Sequence, residues 1–263
     1  MKNSIVYFIF YITLFSTASG CTHSKPDTNK PDNRQQPSDS TLSEYCTAFH
    51  ILNIKIRDSK IKEDEAFQQI KTLMPKIKKA YYKQGGTDFQ ESSWYFPLQY
   101  YDIKAIGGTN GNGYYASKYN FFDGNKHLGH PAQDIFIYDK NHDCLDDNTQ
   151  KPVNVLSMTG GVVIDTDTLW DVKSNLRGGK YIWIYDLYSN SLYYYAHNNK
   201  IFVKPGDIVE PGKVIATVGR TGSNAYKDRS PTHLHMMQLK MGTNYYPRPY
   251  DFYQNLIKTK ISK

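Results

Sequence analysis

The sequence predicts a mainly β protein: an antiparallel, sandwich-like sheet domain behind a small N-terminal helical segment. Two patterns carry that expectation. From Trp94 onward, short alternating or apolar runs are separated by Gly, Asn, Asp and Ser turns; they are Gly161–Ile164, Tyr181–Leu187, Leu192–Ala196, Lys213–Val218 and Leu234–Leu239. Ahead of them, Phe67, Ile70, Met74, Ile77 and Tyr81 recur at helical spacing between Asp58 and Tyr82. About 160 residues in the β part are ample for a single core, and no internal repeat divides it.

Taken in order, the chain starts with a short basic stretch, Met1-Lys2-Asn3, and an apolar run from Ile5 to Phe15. That run has signal-peptide length and is short for a membrane span. Ala18-Ser19-Gly20-Cys21 follows and resembles a bacterial lipoprotein box, with cleavage before Cys21 and lipid on its thiol. Ala18 stands where such boxes usually carry Leu, so an ordinary secretory signal with an incidental Cys21 is the other reading. Either way the mature chain is exported. Residues 22–43 are almost all Ser, Thr, Asn, Asp, Gln, Lys and Pro, with His23, Arg34 and a single aliphatic side chain, Leu42; the stretch is too polar to fold and suited to a tether.

In the helical region, Glu63, Asp64 and Glu65 come early and Lys76, Lys78 and Lys79 late, the polarity that the helix dipole favours. Pro75 is expected to break or kink it. The segment reads as a helical cap on the following domain, or as a cover over its groove. Expected boundaries are therefore a signal peptide over 1–20, a tether over 21–43, a helical segment over 44–91 and a catalytic domain over 92–263. Within the last, a regular strand is expected to start at Asp134, and Ser189-Asn190-Ser191 signals a hairpin between two aromatic-rich strands.

Five residues in three patches carry chemistry: His130 and Asp134, His197, and His233 with His235. They supply three ligands for one divalent metal, zinc above all, and two spare imidazoles for proton transfer; a catalytic zinc site uses three protein ligands and leaves a position open. The i and i+2 spacing of His233 and His235 on a strand puts both rings on one face about 7 Å apart, which suits one ligand and one neighbour. His130 and Asp134 would be about 13 Å apart if extended, so the chain must bend, and Gly129 and Pro131 provide for that. The helical motif His-Glu-x-x-His is absent, which points to a sheet-built site. His50, His127 and His142 read as ordinary core or surface histidines.

This order of motifs resembles the lysostaphin/LytM-type zinc metallopeptidases, which cut peptide bonds in bacterial peptidoglycan. The resemblance extends over Trp94-Tyr95-Phe96-Pro97, Gly160-Gly161-Val162-Val163, Lys204 to Val209, Gly212 to Ala216 and Gly219-Arg220-Thr221-Gly222, spanning roughly Ser92 to Tyr253. One departure is Ala132, where the family often has Gly. The resemblance implies that His130, Asp134 and His235 are the metal ligands and that His197 and His233 are the catalytic pair. It also implies a zinc-dependent peptidoglycan endopeptidase, with a non-catalytic envelope lipoprotein that binds wall peptides or regulates another murein hydrolase as the alternative.

Asp139, Asn141, Asp143 and Asp147 space oxygen ligands much as a calcium loop does, though Cys144 takes the usual Gly position and Gln150 the place of the bidentate Glu. An Asp/Asn-rich turn is the plainer alternative. With Cys21 lipidated, Cys46 and Cys144 remain as a pair that an exported compartment would allow to bridge, or as two free thiols. The net charge of +7 and pI near 9.0 suit anionic surroundings such as a cell wall or membrane surface. No nucleic-acid motif accompanies the scattered lysines. Of 23 tyrosines, some, such as Tyr194 and Tyr195, suit a groove for sugar or peptide, and most read more simply as amphipathic packing at a wet surface. Expected partners are peptidoglycan and the membrane through Cys21, with no nucleic acid and a monomeric chain.

Overall fold

The computed structural model describes residues 40–262, so the expected signal peptide, Cys21 and most of the tether lie outside the described residues. Two helices come first, α1 over Leu42–Arg57 and α2 over Glu63–Lys83. Thr41 and Glu44 form a reciprocal capping box: the Glu44 N–H donates to Thr41 Oγ1 and the Thr41 N–H to the Glu44 carboxylate. Folded chain therefore begins inside the stretch read as tether. The helical region expected from Asp58 is preceded by a full helix, with the break over residues 58–62. Pro75 does not break α2. It is exposed, and the turns around it are fastened by Ile70, Met74, Ile77 and Tyr81 on the buried face, which offsets one lost backbone bond.

Ten strands follow: β1 Ala132–Phe136, β2 Asn154–Leu156, β3 Gly161–Asp167, β4 Tyr181–Asp186, β5 Ser191–Ala196, β6 Asn198–Ile201, β7 Ile208–Val209, β8 Val214–Val218, β9 His233–Lys240 and β10 Arg248–Tyr250. A short helix, α3 (Tyr253–Leu256), comes last. The larger sheet runs β1-β9-β5-β4-β3-β7, with β10 also on β9; β2-β8-β6 form a smaller one. The ladders between these strands are antiparallel throughout, as expected.

Both faces of the larger sheet are covered, so its central strands are apolar almost throughout rather than cleanly alternating. Leu192 and Ala196 of β5 and Tyr181, Trp183 and Tyr185 of β4 face a core shared with Phe49, Leu52, Ile70 and Met74 of the helices. Tyr193, Tyr195, Ile182 and Ile184 face a second core with Trp94, Phe96, Ile215 and Val218. Tyr195 is thus fully buried, its hydroxyl accepting from the Met158 N–H at 3.0 Å, and lines no groove. Asn190 takes a left-handed conformation in the β4–β5 hairpin, where the sequence signalled a turn.

Polar contacts fasten α1 to β3. His50 and Asn53 both bond the buried carboxylate of Asp165, and Arg57 pairs with Asp167. Cys46 lies buried in α1 and its thiol is pushed up to about 12 by burial; Cys144 is a free thiol on a loop, so no bridge joins them.

The hydrogen bond to Asp165 raises the His50 pKa above its ordinary value, and burial raises that of Asp165. Both shifts are upward, so the folded pair binds protons more tightly than the unfolded chain. The His50 share of stability is complete below about pH 6.5, the ordinary histidine value, and is lost as pH rises through the raised one. We expect the urea midpoint to be lower at pH 9 than at pH 6, and this drop to be smaller in His50→Gln. An equal drop in both proteins would remove the pair as its cause.

Candidate metal centre

In the β1–β9 register Asp134 lies opposite His235, and Phe136 opposite His233. Directly opposed residues bring their Cβ atoms to about 5 Å, within reach of side-chain contact, and His235 Nδ1 stands 2.9 Å from Asp134 Oδ1. The strand begins at Ala132, two residues earlier than the sequence suggested. His130 precedes it, paired with Tyr115 in an isolated antiparallel bridge. Gly129 makes the turn before it at φ 76, where an added Cβ would sit 2.8 Å from the Tyr115 carbonyl oxygen. His130 Nε2 then lies 3.2 and 3.1 Å from the two Asp134 carboxylate oxygens.

His130, Asp134 and His235 each place one ligand atom within 4.8 Å of the other two. Among the described residues no other set of three His, Cys, Asp or Glu side chains converges in this way. Donors held about 2.0–2.2 Å from a tetrahedral zinc stand about 3.3 Å from one another. The separations of 2.9, 3.1 and 3.2 Å to Asp134 fit such an ion with little movement. Two imidazoles and one carboxylate also form a donor set that zinc accepts.

The other two imidazoles stand alongside. His233 Nε2 is 3.8 Å from Asp134 Oδ1. His197 lies at the corner where the chain leaves β5 for β6, in a left-handed conformation at φ 66. Its ring is 4.9 Å from that of His233 and 5.5 Å from that of His235, between centroids. Gly222 permits the approach: a Cβ there would meet His197 Nδ1 at 2.9 Å and the Arg177 carbonyl at 2.3 Å.

Three backbone carbonyls orient three rings. His130 Nδ1 faces the Gly113 oxygen at 2.9 Å, His197 Nδ1 that of Thr221 at 2.8 Å, and His233 Nδ1 that of Pro231 at 2.7 Å. A carbonyl can only accept, so each Nδ1 carries the hydrogen; at His197 and His233 this leaves the Nε2 lone pair for the site, and at His130 it turns Nε2 toward Asp134. No residue type in the sequence signals these carbonyls, and they were missed. So was Phe136, whose ring packs on His233 at 5.3 Å. Behind His235, half-buried Tyr194 presents its edge at 6.2 Å and stacks on Trp183 at 4.5 Å, and it lines a small pocket with Trp183 and His127.

Charge is balanced around Asp134. Burial favours its neutral form, but hydrogen bonds from His130 and His235 and the nearby imidazoles outweigh this and hold it well below the usual carboxylate range. The Asp134 hydrogen bond raises His130, whereas burial lowers His235 and, with the charges of its histidine neighbours, takes His197 well below its ordinary value.

The suggested calcium loop does not form. Asp139 accepts from the Asp143 and Cys144 N–H groups at 3.1 and 3.0 Å and from the Thr232 hydroxyl at 2.6 Å. Asp143 accepts from the Asn141 amide and the Leu145 N–H, and Asp147 from the Lys140 N–H. The oxygens are committed to a turn whose buried Asp139 anchors Thr232, the residue before His233.

A histidine–aspartate–histidine group of this geometry can hold a divalent metal ion. Residues 140–247 match the model of peptidase family M23, in agreement with the resemblance in the motifs. The match takes in His197, His233 and His235; His130 and Asp134 precede it and join it through the β1–β9 pairing. Among solved structures, the catalytic domain of the antimicrobial peptidase lysostaphin from Staphylococcus simulans is 24% identical, with 55% of this chain and 86% of that one covered at a TM-score of 0.36. A putative glycyl-glycine endopeptidase lytM from Ruminococcus gnavus is 22% identical, with 91% and 95% covered and a TM-score of 0.42. A zinc-containing peptidase from Vibrio cholerae is 21% identical, with 64% and 40% covered at 0.37.

We expect the purified full chain to bind about one zinc ion, read by elemental analysis after dialysis. Asp134→Ala and His235→Ala should each lose most of it, and His197→Ala should keep it. Equal zinc in all four proteins would place the ion elsewhere.

Proposed function

We propose that the chain is a zinc-dependent endopeptidase that hydrolyses peptide bonds in peptidoglycan stem peptides or cross-bridges. The observation that carries this is the convergence of the His130, Asp134 and His235 donor atoms within 4.8 Å, beside the His197 and His233 rings. The family match supports peptidase chemistry. The names of the lysostaphin and lytM structures, an antimicrobial peptidase and a putative glycyl-glycine endopeptidase, agree with a wall-peptide substrate.

His130 through Nε2, Asp134 through a carboxylate oxygen and His235 through Nδ1 would hold the zinc. When bound, such an ion lowers the pKa of a coordinated water toward about 7 and polarises the scissile carbonyl. His197 and His233 handle protons. Each has Nδ1–H committed to a carbonyl, so each presents Nε2 to the reacting groups. One accepts the proton of the attacking water; the other, once protonated, donates to the leaving amine or steadies the developing oxyanion. The depressed pKa of His197 keeps it a neutral acceptor at pH 7. Burial of both rings, each 8% exposed, keeps bulk water from competing for those protons.

The proposal places the mature chain outside the cytoplasmic membrane, anchored through lipid on Cys21, and this part rests on the sequence of residues 1–43 alone. The alternative, an envelope protein that binds wall peptides without cutting them, retains the metal but shows no turnover. Muropeptide release from purified peptidoglycan separates the two. We expect release by the wild type, none from His130→Ala, and a loss of about a hundred- to ten-thousand-fold in His197→Ala and His233→Ala. A chelator should stop the reaction and added zinc restore it. A zinc-loaded chain that releases nothing would favour the binding reading.

A further inference from the structure

Phe136, which packs on His233, also lines a cleft of about 870 Å³ that none of the five site residues lines. Alternation on β1 puts Phe136 on the face that carries Asp134. Tyr138 comes two residues later and lines the same cleft, about 13 Å of extended chain from Asp134. Phe136 thus joins the two: its ring packs on His233 and also borders the cleft that Tyr138 lines just beyond β1.

Its aromatic side chains are held in an unusual way. Tyr138 is 63% exposed and Tyr100 is 72% exposed, so neither ring contributes much to the core. Yet the frame behind Tyr138 is rigid. The Tyr138 N–H donates to the Tyr101 hydroxyl oxygen at 2.9 Å, the Tyr101 hydroxyl donates to buried Asp146, and the Asp147 N–H donates to the Tyr138 carbonyl at 2.6 Å. Asp146 also accepts from the Asn148 and Thr149 N–H groups at 3.1 and 2.9 Å. The Tyr101 and Tyr138 rings stand 5.9 Å apart at a tilt of 34°. Tyr100 sits at φ 65, a region that bulky residues rarely enter, with its N–H on the Ser262 carbonyl at 3.0 Å. A buried carboxylate and a strained backbone are thus committed to presenting two rings to solvent.

Exposed flat rings beside polar groups, here the side chains of Asn148 and Asp102, suit a pyranose. The apolar C–H face of the sugar stacks on a ring, while hydroxyl and acetamido groups bond the amide and carboxylate. A peptide extension is less well served. The outer edge of β1 is already taken by the Ile106–Ile135 and Tyr115–His130 bridges, so no added strand can dock there by main-chain bonds.

We propose that this cleft binds the amino-sugar portion of the substrate, holding the glycan while its attached peptide enters the metal centre. The assignment rests on the peptidoglycan reading above. It is tested with the full chain in two arms. The first titrates a soluble N-acetylglucosamine tetramer into the wild type, Tyr138→Ala, Tyr100→Ala and Tyr138→Phe. Saturable binding in the wild type and in Tyr138→Phe, weakened about three- to tenfold in each Ala variant, is expected from the loss of one aromatic contact. No binding by the wild type, or equal binding by all four, overturns the assignment. The second arm compares cleavage of a disaccharide-bearing muropeptide with that of its sugar-free peptide. The wild-type preference for the former should fall about three- to tenfold in each Ala variant through KM; an unchanged preference overturns it. If neither substrate is cut, the endopeptidase reading fails and the first arm still decides the cleft. Unchanged thermal midpoints exclude misfolding, as expected for side chains this exposed.

Discussion

Everything in the site depends on the register in which β1 meets β9. Asp134 faces His235 across that ladder, and the carboxylate gathers His130 and His233 as well. Side chains on a strand alternate between faces, so a slip of one residue would send Asp134 into the opposite core and leave the imidazoles with no anion between them. Several features hold the register. Ala132 and Ile135 of β1 are fully buried on opposite faces, β9 is paired along its length by β5, and the Asp139 turn fixes the residue before His233.

A second layer of control lies in the backbone. Histidine offers two nitrogens, and a site that needs a particular one must occupy the other. Here carbonyls from three separate loops, those of Gly113, Thr221 and Pro231, take the Nδ1 hydrogens. The histidine ring that meets Asp134 through Nδ1 is the one placed by the strand register itself, His235. Ring orientation is therefore shared between loops and sheet, and a shift of the Thr221 or Pro231 loop would change which nitrogen His197 or His233 presents while His130, Asp134 and His235 stay in place.

Much of this was legible in the sequence. The long strands β3, β4, β5, β8 and β9 have β-branched and aromatic runs bounded by turn residues, and the five site residues stand out by type and spacing. Elements that were missed lack room to show a pattern: β2, β7 and β10 span two or three residues each. The start of α1 was hidden because its capping box, Thr41 to Glu44, sits in a run of polar residues that reads as linker. Two expectations failed where a side chain's partner decides its meaning. The acidic turn after β1 has calcium-like spacing, but backbone N–H groups occupy its oxygens. Tyr195 sits beside a catalytic candidate in sequence yet on the opposite face of β5 from His235's support, Tyr194. Carbonyl acceptors were illegible for a simpler reason, since every residue has one.

The pairing of Asp134 with His235 joins positions 101 residues apart. Contacts of such separation form late, because a long loop must close before they repay its entropy. Between the two strands the chain has to lay down β3, β4 and β5, and it is β5 that β9 joins on its other edge. A partly folded chain thus holds scattered histidines of weak and separate affinity, and the three-donor group comes into being as the last long strand docks. The group is thus assembled at the completion of folding rather than during synthesis.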